Sequence, residues 1–187
     1  MRSVTYSMGM SLDGYIVGPD GGFNWTAFDD EVFAFATEQI REVGVHLLGR
    51  RLYESMVFWE TADQDPSSTE AWRTWTALWK ALPKVVFSTT LTEVQGNCRL
   101  VAGDIGAEIE ALRAEPGEGN IAIGGAALAA EVAALGLIDE YRPKVYPVVV
   151  GGGVPFFPQS QPQVDLELVE TRTFPSGVVY LRYQVRR

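Results

Sequence analysis

Three short stretches combine residue types that could hold a phosphorylated ligand. In Leu47-Leu48-Gly49-Arg50-Arg51 an apolar run ends in a glycine and two arginines. If the run is a strand and the arginines open a helix, two guanidinium forks share one turn with free backbone N–H groups, which suits phosphate oxygens. The alternative is surface pairing of Arg50 and Arg51 with carboxylates such as Glu54, and spacing leaves the two readings even. Ile121-Ala122-Ile123-Gly124-Gly125-Ala126-Ala127-Leu128 sets paired glycines and small residues where a strand would become a helix, so backbone could approach a pyrophosphate or a flat ring. It lacks the G-x-G-x-x-G spacing and alone is a weak signal. Ser88-Thr89-Thr90 brings hydroxyls to the end of the apolar run Lys84–Ser88. In open α/β sheets, ligands sit beyond the carboxyl ends of strands, and all three stretches fall there.

Other reactive side chains have plainer readings. His46 lies inside an apolar run and reads as a core histidine. Cys98 reads as a passive thiol, and Asp13 as a turn residue bonding backbone. Tyr53, Trp59 and Phe157 could line a flat-ring pocket or simply pack. One cysteine and one histidine exclude an intramolecular disulfide and any Cys- or His-rich metal site, so no metal is expected.

The elements that must position these residues follow from periodicity. Val4–Met10 reads as a first strand, and the Gly18–Gly22 segment as a tight or mobile loop. A helix follows, opened by Asp29 and Asp30, carrying Val32, Phe35/Ala36, Ile40 and Val43 and ended by Gly44. Val45–Leu48 has the continuous apolar character of a buried parallel strand, with Leu52, Met56 and Trp59 on the next helical face. Thr69–Leu82 is a helix with a packing stripe of Trp72, Trp75 and Trp79, and Thr61–Ser68 before it a loop. Asp104 caps a helix burying Ile105, Ile109 and Leu112. After strand 121–123, a helix presents Leu128, Val132 and Leu135 and stops at Gly136. Tyr141–Val150 is extended but carries Pro143 and Pro147, which suits an edge or bulged strand. Val164–Thr173 and Val178–Val185 alternate and form a hairpin through Pro175-Ser176-Gly177. The expectation is one α/β domain over residues 1–187, three-layered, its mixed sheet mostly parallel with an antiparallel C-terminal hairpin.

Composition narrows the class. The 187 residues are 47% hydrophobic and carry a net charge of −9, which disfavours nucleic-acid and anionic-membrane partners. No signal-type segment opens the chain, and Ile121–Ala130 is too short to span a bilayer, so a cytoplasmic location is expected.

Met10-Ser11-Leu12-Asp13-Gly14-Tyr15-Ile16, Leu48-Gly49-Arg50-Arg51, Ile123-Gly124-Gly125 and the run from Pro147 to Phe157 (P-V-V-V-G-G-G-V-P-F-F) occur in that order. Together they resemble the dihydrofolate reductase-like family, in the branch related to the reductase domain of bifunctional riboflavin-biosynthesis deaminase-reductases. The resemblance spans about Val4 to Arg186, and its most specific pieces are S-L-D-G and the V-G-G-G run. It implies an NADPH site in which Gly49, Arg50 and Arg51 hold phosphates and Ser88 and Thr89 face the adenosine 2′-phosphate. Gly124 and Gly125, leading into Ala126, Ala127 and Leu128, would pass the pyrophosphate through a cis peptide. Ile16 would touch the nicotinamide, and Gly18–Trp25 would be the mobile loop closing over it. Two departures stand out. Asp30 or Glu31 lies near the place of the folate enzymes' carboxylate without matching its spacing, and Ala126-Ala127 replace an arginine of the cofactor site.

The resemblance therefore implies an NADPH-dependent oxidoreductase acting on a small pterin-like or pyrimidine-like heterocycle. Asp30, Glu31 and Trp25 are the candidate catalytic residues. The alternatives are a non-catalytic NADP(H)-binding sensor or interaction module, and a homodimeric scaffold using an edge near Val145–Val150.

Overall fold

The computed structural model describes residues 1–26 and 29–187. In chain order the regular elements are β1 (Val4–Ser11), β2 (Tyr15–Val17), α1 (Asp30–Ile40), β3 (Val43–Gly49), α2 (Arg50–Met56), α3 (Glu70–Ala81), β4 (Lys84–Phe87), β5 (Cys98–Val101), α4 (Ile105–Ala114), β6 (Asn120–Gly124), α5 (Ala126–Ala134), β7 (Glu140–Tyr146), β8 (Val154–Pro155), β9 (Leu166–Thr173) and β10 (Val179–Val185). Single 3-10 turns at Asn24–Thr26, Val57–Glu60 and Ala62–Gln64 link them.

Among the described residues, eight strands form one sheet in the order β5-β4-β3-β6-β1-β7-β10-β9. The first six run parallel; β10 is antiparallel to β7, and β9 to β10. A short ladder of β2 with β8 lies beside them. Strand residues alternate between the faces, as the pleat requires. On one face Val4, Tyr6, Val45, Leu47, Val85, Ile121 and Ile123 pack against Ile105, Ile109 and Leu112 of α4 and Leu128 and Val132 of α5. The opposite face carries two separate apolar clusters: Ile40, Leu48, Trp59, Trp79 and Val86 in one, Val32, Tyr146, Phe174 and Tyr180 in the other. Helices thus cover both sides, which makes the fold three-layered α/β with an antiparallel C-terminal hairpin.

The local chemistry of the helices is as the sequence indicates. Asp29, Thr69 and Asp104 accept hydrogen bonds from the first free N–H groups of α1, α3 and α4. Ile105, Ile109 and Leu112 are buried at one-turn spacing, and Trp79 is 2% exposed. No helix among the described residues is long and apolar enough to cross a membrane.

Four expectations are corrected. Gly44 does not end a helix: α1 closes through Arg41 and Glu42, whose N–H groups reach back to Glu38 and Gln39, and Gly44 already belongs to β3. The helix after β3 stops at Met56, so Trp59 is buried from a 3-10 turn, and Tyr53 rather than Leu52 is the buried residue of α2. Leu135 is the residue just beyond α5 and is 54% exposed, next to the positive-φ turn at Gly136. Finally, β7 is not an edge but an interior strand between β1 and β10. Pro143 is tolerated because pairing with β10 lapses there: Lys144 pairs with Tyr180 and Tyr141 with Tyr183, with nothing between. A residue without an N–H costs nothing in a gap of the ladder. Among the described residues the sheet edges are β5 and β9, so Val145 and Tyr146 do not form an edge.

Candidate functional site

Parallel pairing aligns the three turns singled out in the sequence. Gly49 is in register with Phe87, and Leu48 with Gly124, so Gly49-Arg50-Arg51, Ser88-Thr89-Thr90 and Gly124-Gly125 share one rim at the carboxyl ends of β3, β4 and β6. Two helices begin on that rim, α2 after Gly49 and α5 after Gly125. Among the described residues neither has a side-chain cap, in contrast to the capped α1, α3 and α4. Their first N–H groups are therefore free for an anionic ligand, and the dipole at each start favours negative charge.

The two arginines behave differently. Arg50 bonds Glu54 (Nε to Oε1, 2.7 Å) and Thr90 (2.6 Å to Oγ1), so the carboxylate pairing holds for this residue, which also ties the first turn to the second. Arg51 is exposed and, among the described residues, its guanidinium has no ion-pair partner. The Ser88 hydroxyl accepts from the N–H groups of Thr90 and Leu91 and so shapes its own turn; Thr89 is exposed. Gly125 has φ +97°, a conformation that side chains disfavour, and it lets the chain leave β6 directly into Ala126, Ala127 and Leu128 of α5. A Cβ on Gly124 would lie 2.3 Å from Leu52 Cδ2 and 3.0 Å from His46 Nε2, so a side chain here would force these neighbours to shift. The cis peptide implied at Gly124–Gly125 is absent: no described residue forms one.

A second feature lies next to this rim. β1 is central and flanked on both sides, yet only Val4–Tyr6 and Ser11 are buried, while Ser7–Met10 are half-exposed. Its neighbour β7 is likewise half-exposed at Lys144 and Val145. The sheet is therefore open to solvent in its middle, near the carboxyl ends. Ser7, Gly9 and Lys144 line this opening on the α1 face, between the two apolar clusters, with Met8 and Met10 on the other face. Tyr146 covers Gly9, where a Cβ would sit 3.0 Å from its ring, and Trp25 meets Tyr146 edge-on at 5.7 Å. Among the described residues the Trp25 Nε1 is buried without a hydrogen-bond partner. Hollows of about 250 and 490 Å³ elsewhere, lined by Tyr141 and Phe157 and by Arg2 and Arg113, lie away from the rim, near the amino ends of β7 and of β1 and β6.

Electrostatics separate candidates from framework. Asp30 and Glu31 are exposed in the first turn of α1, while Asp29 is its cap; none of these carboxylates is enclosed. Ile16 is buried in the core beside Phe156. His46 packs edge-on against Trp79 behind Gly124; burial, then the charge of Lys84, lowers its pKa to about 4 and keeps it neutral. Asp13 accepts from the N–H groups of Val150 and Gly151, tying the S-L-D-G turn to the glycine run. Its carboxyl lies below the usual value, chiefly through a hydrogen bond with Ser11.

The sequence reading missed Lys144. Its ammonium donates to Ser7 Oγ at 3.2 Å, and burial, then the charge of Arg142, lowers its pKa to about 8. The signal was present: Arg142, Lys144 and Tyr146 alternate with Tyr141, Pro143 and Val145, which places the cations on one face of an interior strand.

The comparisons with known proteins agree with this architecture. A family model described as the RibD C-terminal domain matches residues 2–180. The uncharacterized protein YyaP of Bacillus subtilis (strain 168) is 31% identical over 185 residues, covering 97% of this chain and 94% of that one. Among solved structures, a riboflavin biosynthesis protein of Shewanella sp. PV-4 superposes with a TM-score of 0.75 at 22% identity, covering 100% of both chains. A pyrimidine reductase-like protein of Corynebacterium diphtheriae superposes at 0.67 with 13% identity, covering 100% of this chain and 92% of that one. With its matched span running from before β1 into β10, the chain belongs to the RibD C-terminal domain family.

Proposed function

We propose that this protein is an NADPH-dependent reductase that transfers hydride to a small pyrimidine-like or pterin-like heterocycle. One observation carries the reading: two uncapped helix starts and a free arginine stand beside an opening in the middle of the sheet. The family membership supports an oxidoreductase, and the rim supplies what a dinucleotide needs: N–H groups, a guanidinium and a close-approach glycine turn. NADPH, when bound, supplies the hydride. The chain's own residues bind and orient. Arg51 and the first turns of α2 and α5 hold phosphate, Ser88, Thr89 and Arg50 border the adenosine end, and Gly124-Gly125 lets the pyrophosphate pass. Trp25 and Tyr146 wall the opening on one side.

Tryptophan-fluorescence titration with NADPH and NADH, followed by NADPH oxidation with reducible pyrimidines and pteridines, tests the proposal. Saturable binding that favours NADPH, together with turnover of at least one such heterocycle, is expected; failure to bind either dinucleotide refutes it. The exposure of Asp30 and Glu31 favours a second reading, a binding module without catalysis. Its mark is tight binding of both redox forms with no turnover.

A further inference from the structure

We infer that Lys144, held by Ser7, is the anchor for an anionic or acceptor edge of a planar heterocycle bound in the mid-sheet opening. The inference rests on the reductase reading and names the substrate edge that the opening would recognise.

Lys144 projects from an interior strand onto the α1 face, opposite Gly9 of β1. Among the described residues its ammonium has one hydrogen bond, to Ser7, and no carboxylate partner. Glu170 of β9, in register with Arg182, is exposed two strands away, and the charged groups nearer to Lys144 are already engaged. On its own strand Arg142 is tied to Glu140 and to Glu42, which follows α1. On β10, Tyr180 stands in register with Lys144, and Arg182 is also bonded to Glu140. On β9, Arg172, in register with Tyr180, lies over Phe35 of α1. Asp29, which caps α1, accepts from its own helix and sets its charge near Tyr146. A cation left half-buried without a counter-charge costs stability, so a structural explanation is poor. A ligand that brings negative charge or acceptor atoms removes that cost.

The surroundings specify the rest. The opening has small or polar residues on its floor, Ser7 and Gly9, and aromatic rings at its side, Trp25 and Tyr146. A flat ring fits between small floor and aromatic wall, with its polar edge on the ammonium.

The test uses barbiturate, a planar pyrimidine-type anion, as probe, with NADP⁺ as the control ligand. Binding is measured by fluorescence and calorimetry on wild type, Lys144→Met and Lys144→Gln. Reductive methylation of Lys144, read by mass spectrometry, is compared with and without probe. Expected are barbiturate binding to wild type with protection of Lys144, a loss of about tenfold or more in both variants, unchanged NADP⁺ affinity, and a melting temperature that does not fall in Lys144→Met. Barbiturate binding that is absent from wild type, or equal in wild type and variants, overturns the inference, as does a melting temperature lowered in both variants with the probe still bound. If NADP⁺ fails to bind while the Lys144-dependent probe site persists, the dinucleotide reading falls and the anchor stands. If NADP⁺ binds normally and the probe is indifferent to Lys144, the anchor falls and the dinucleotide reading stands.

Discussion

Replacing Arg51 by alanine should weaken NADPH binding strongly while leaving the fold untouched, whereas replacing Arg50 should lower stability slightly and weaken binding far less. The two side chains are neighbours in sequence, but their surroundings differ. Arg50 already satisfies Glu54 and Thr90, with about half of each partner of its ion pair exposed. A half-exposed i,i+4 pair contributes about 0.3–0.5 kcal/mol, so Arg50→Ala should lower stability by less than about 1 kcal/mol. Arg51 has no such partner to give up, and a charge-assisted hydrogen bond to a phosphate contributes about 1.5–3 kcal/mol. At about 1.4 kcal/mol per factor of ten, Arg51→Ala should raise the Kd for NADPH by roughly 10- to 150-fold. Because the site is exposed, the difference should shrink as salt rises above about 0.1 M, where the screening length falls to about 10 Å. The assay is a fluorescence titration at low and high salt, paired with urea unfolding of each variant. Equal NADPH affinity in Arg51→Ala and wild type would refute the assignment. An effect confined to Arg50→Ala would move the phosphate contact to the guanidinium that the structure shows as engaged.

Two further outcomes test the framework. His46 is held neutral with a pKa near 4 against 6.5 for the free side chain, so the unfolded chain binds more protons between those values. Stability should therefore be full above about pH 6.5 and decline by roughly 2–3 kcal/mol as pH falls to 4; urea unfolding at pH 5 and 7 should show a slope that His46→Phe reduces, and an unchanged slope would place His46 outside the titrating core. Asp104→Ala removes the acceptor for Gly106 and Ala107 N–H and should cost about 1 kcal/mol in chemical denaturation, with dinucleotide binding unchanged; a loss of binding instead would show that α4 is coupled to the rim.

Local chemistry was legible wherever one element's own residues decide it. Asp104 with Ile105, Ile109 and Leu112 specifies the start and buried face of α4 within a few residues of chain, and the structure agrees. The hairpin at Pro175-Ser176-Gly177 was legible for the same reason, since turn residues between two alternating runs leave few other conformations. Gly44 misled because a glycine after a helical pattern usually stops it, whereas here it sits inside β3. Pro143 misled because whether a proline lies at an edge depends on its partner strands, and the gap in the β10 ladder is invisible until β10 is in place.

The candidate site divides along the same line. Residue types and order alone determined the fold class, the family and the three turns that could meet a phosphate, because each turn is a contiguous piece of chain ending an apolar run. Which arginine is free was a tertiary matter: Thr90 engages Arg50 from a turn 40 residues away. So was the opening at Ser7–Met10, which exists because the two apolar clusters beneath α1 and α3 stay separate. Lys144 shows the division most clearly. Its identity is written in the sequence, but its unpaired charge arises only when β1, β7 and β10 lie side by side and Glu140 and Glu42 are taken by other arginines. Burial and the exclusion of counter-charge are properties of assembled neighbours, and no local pattern of residues encodes them.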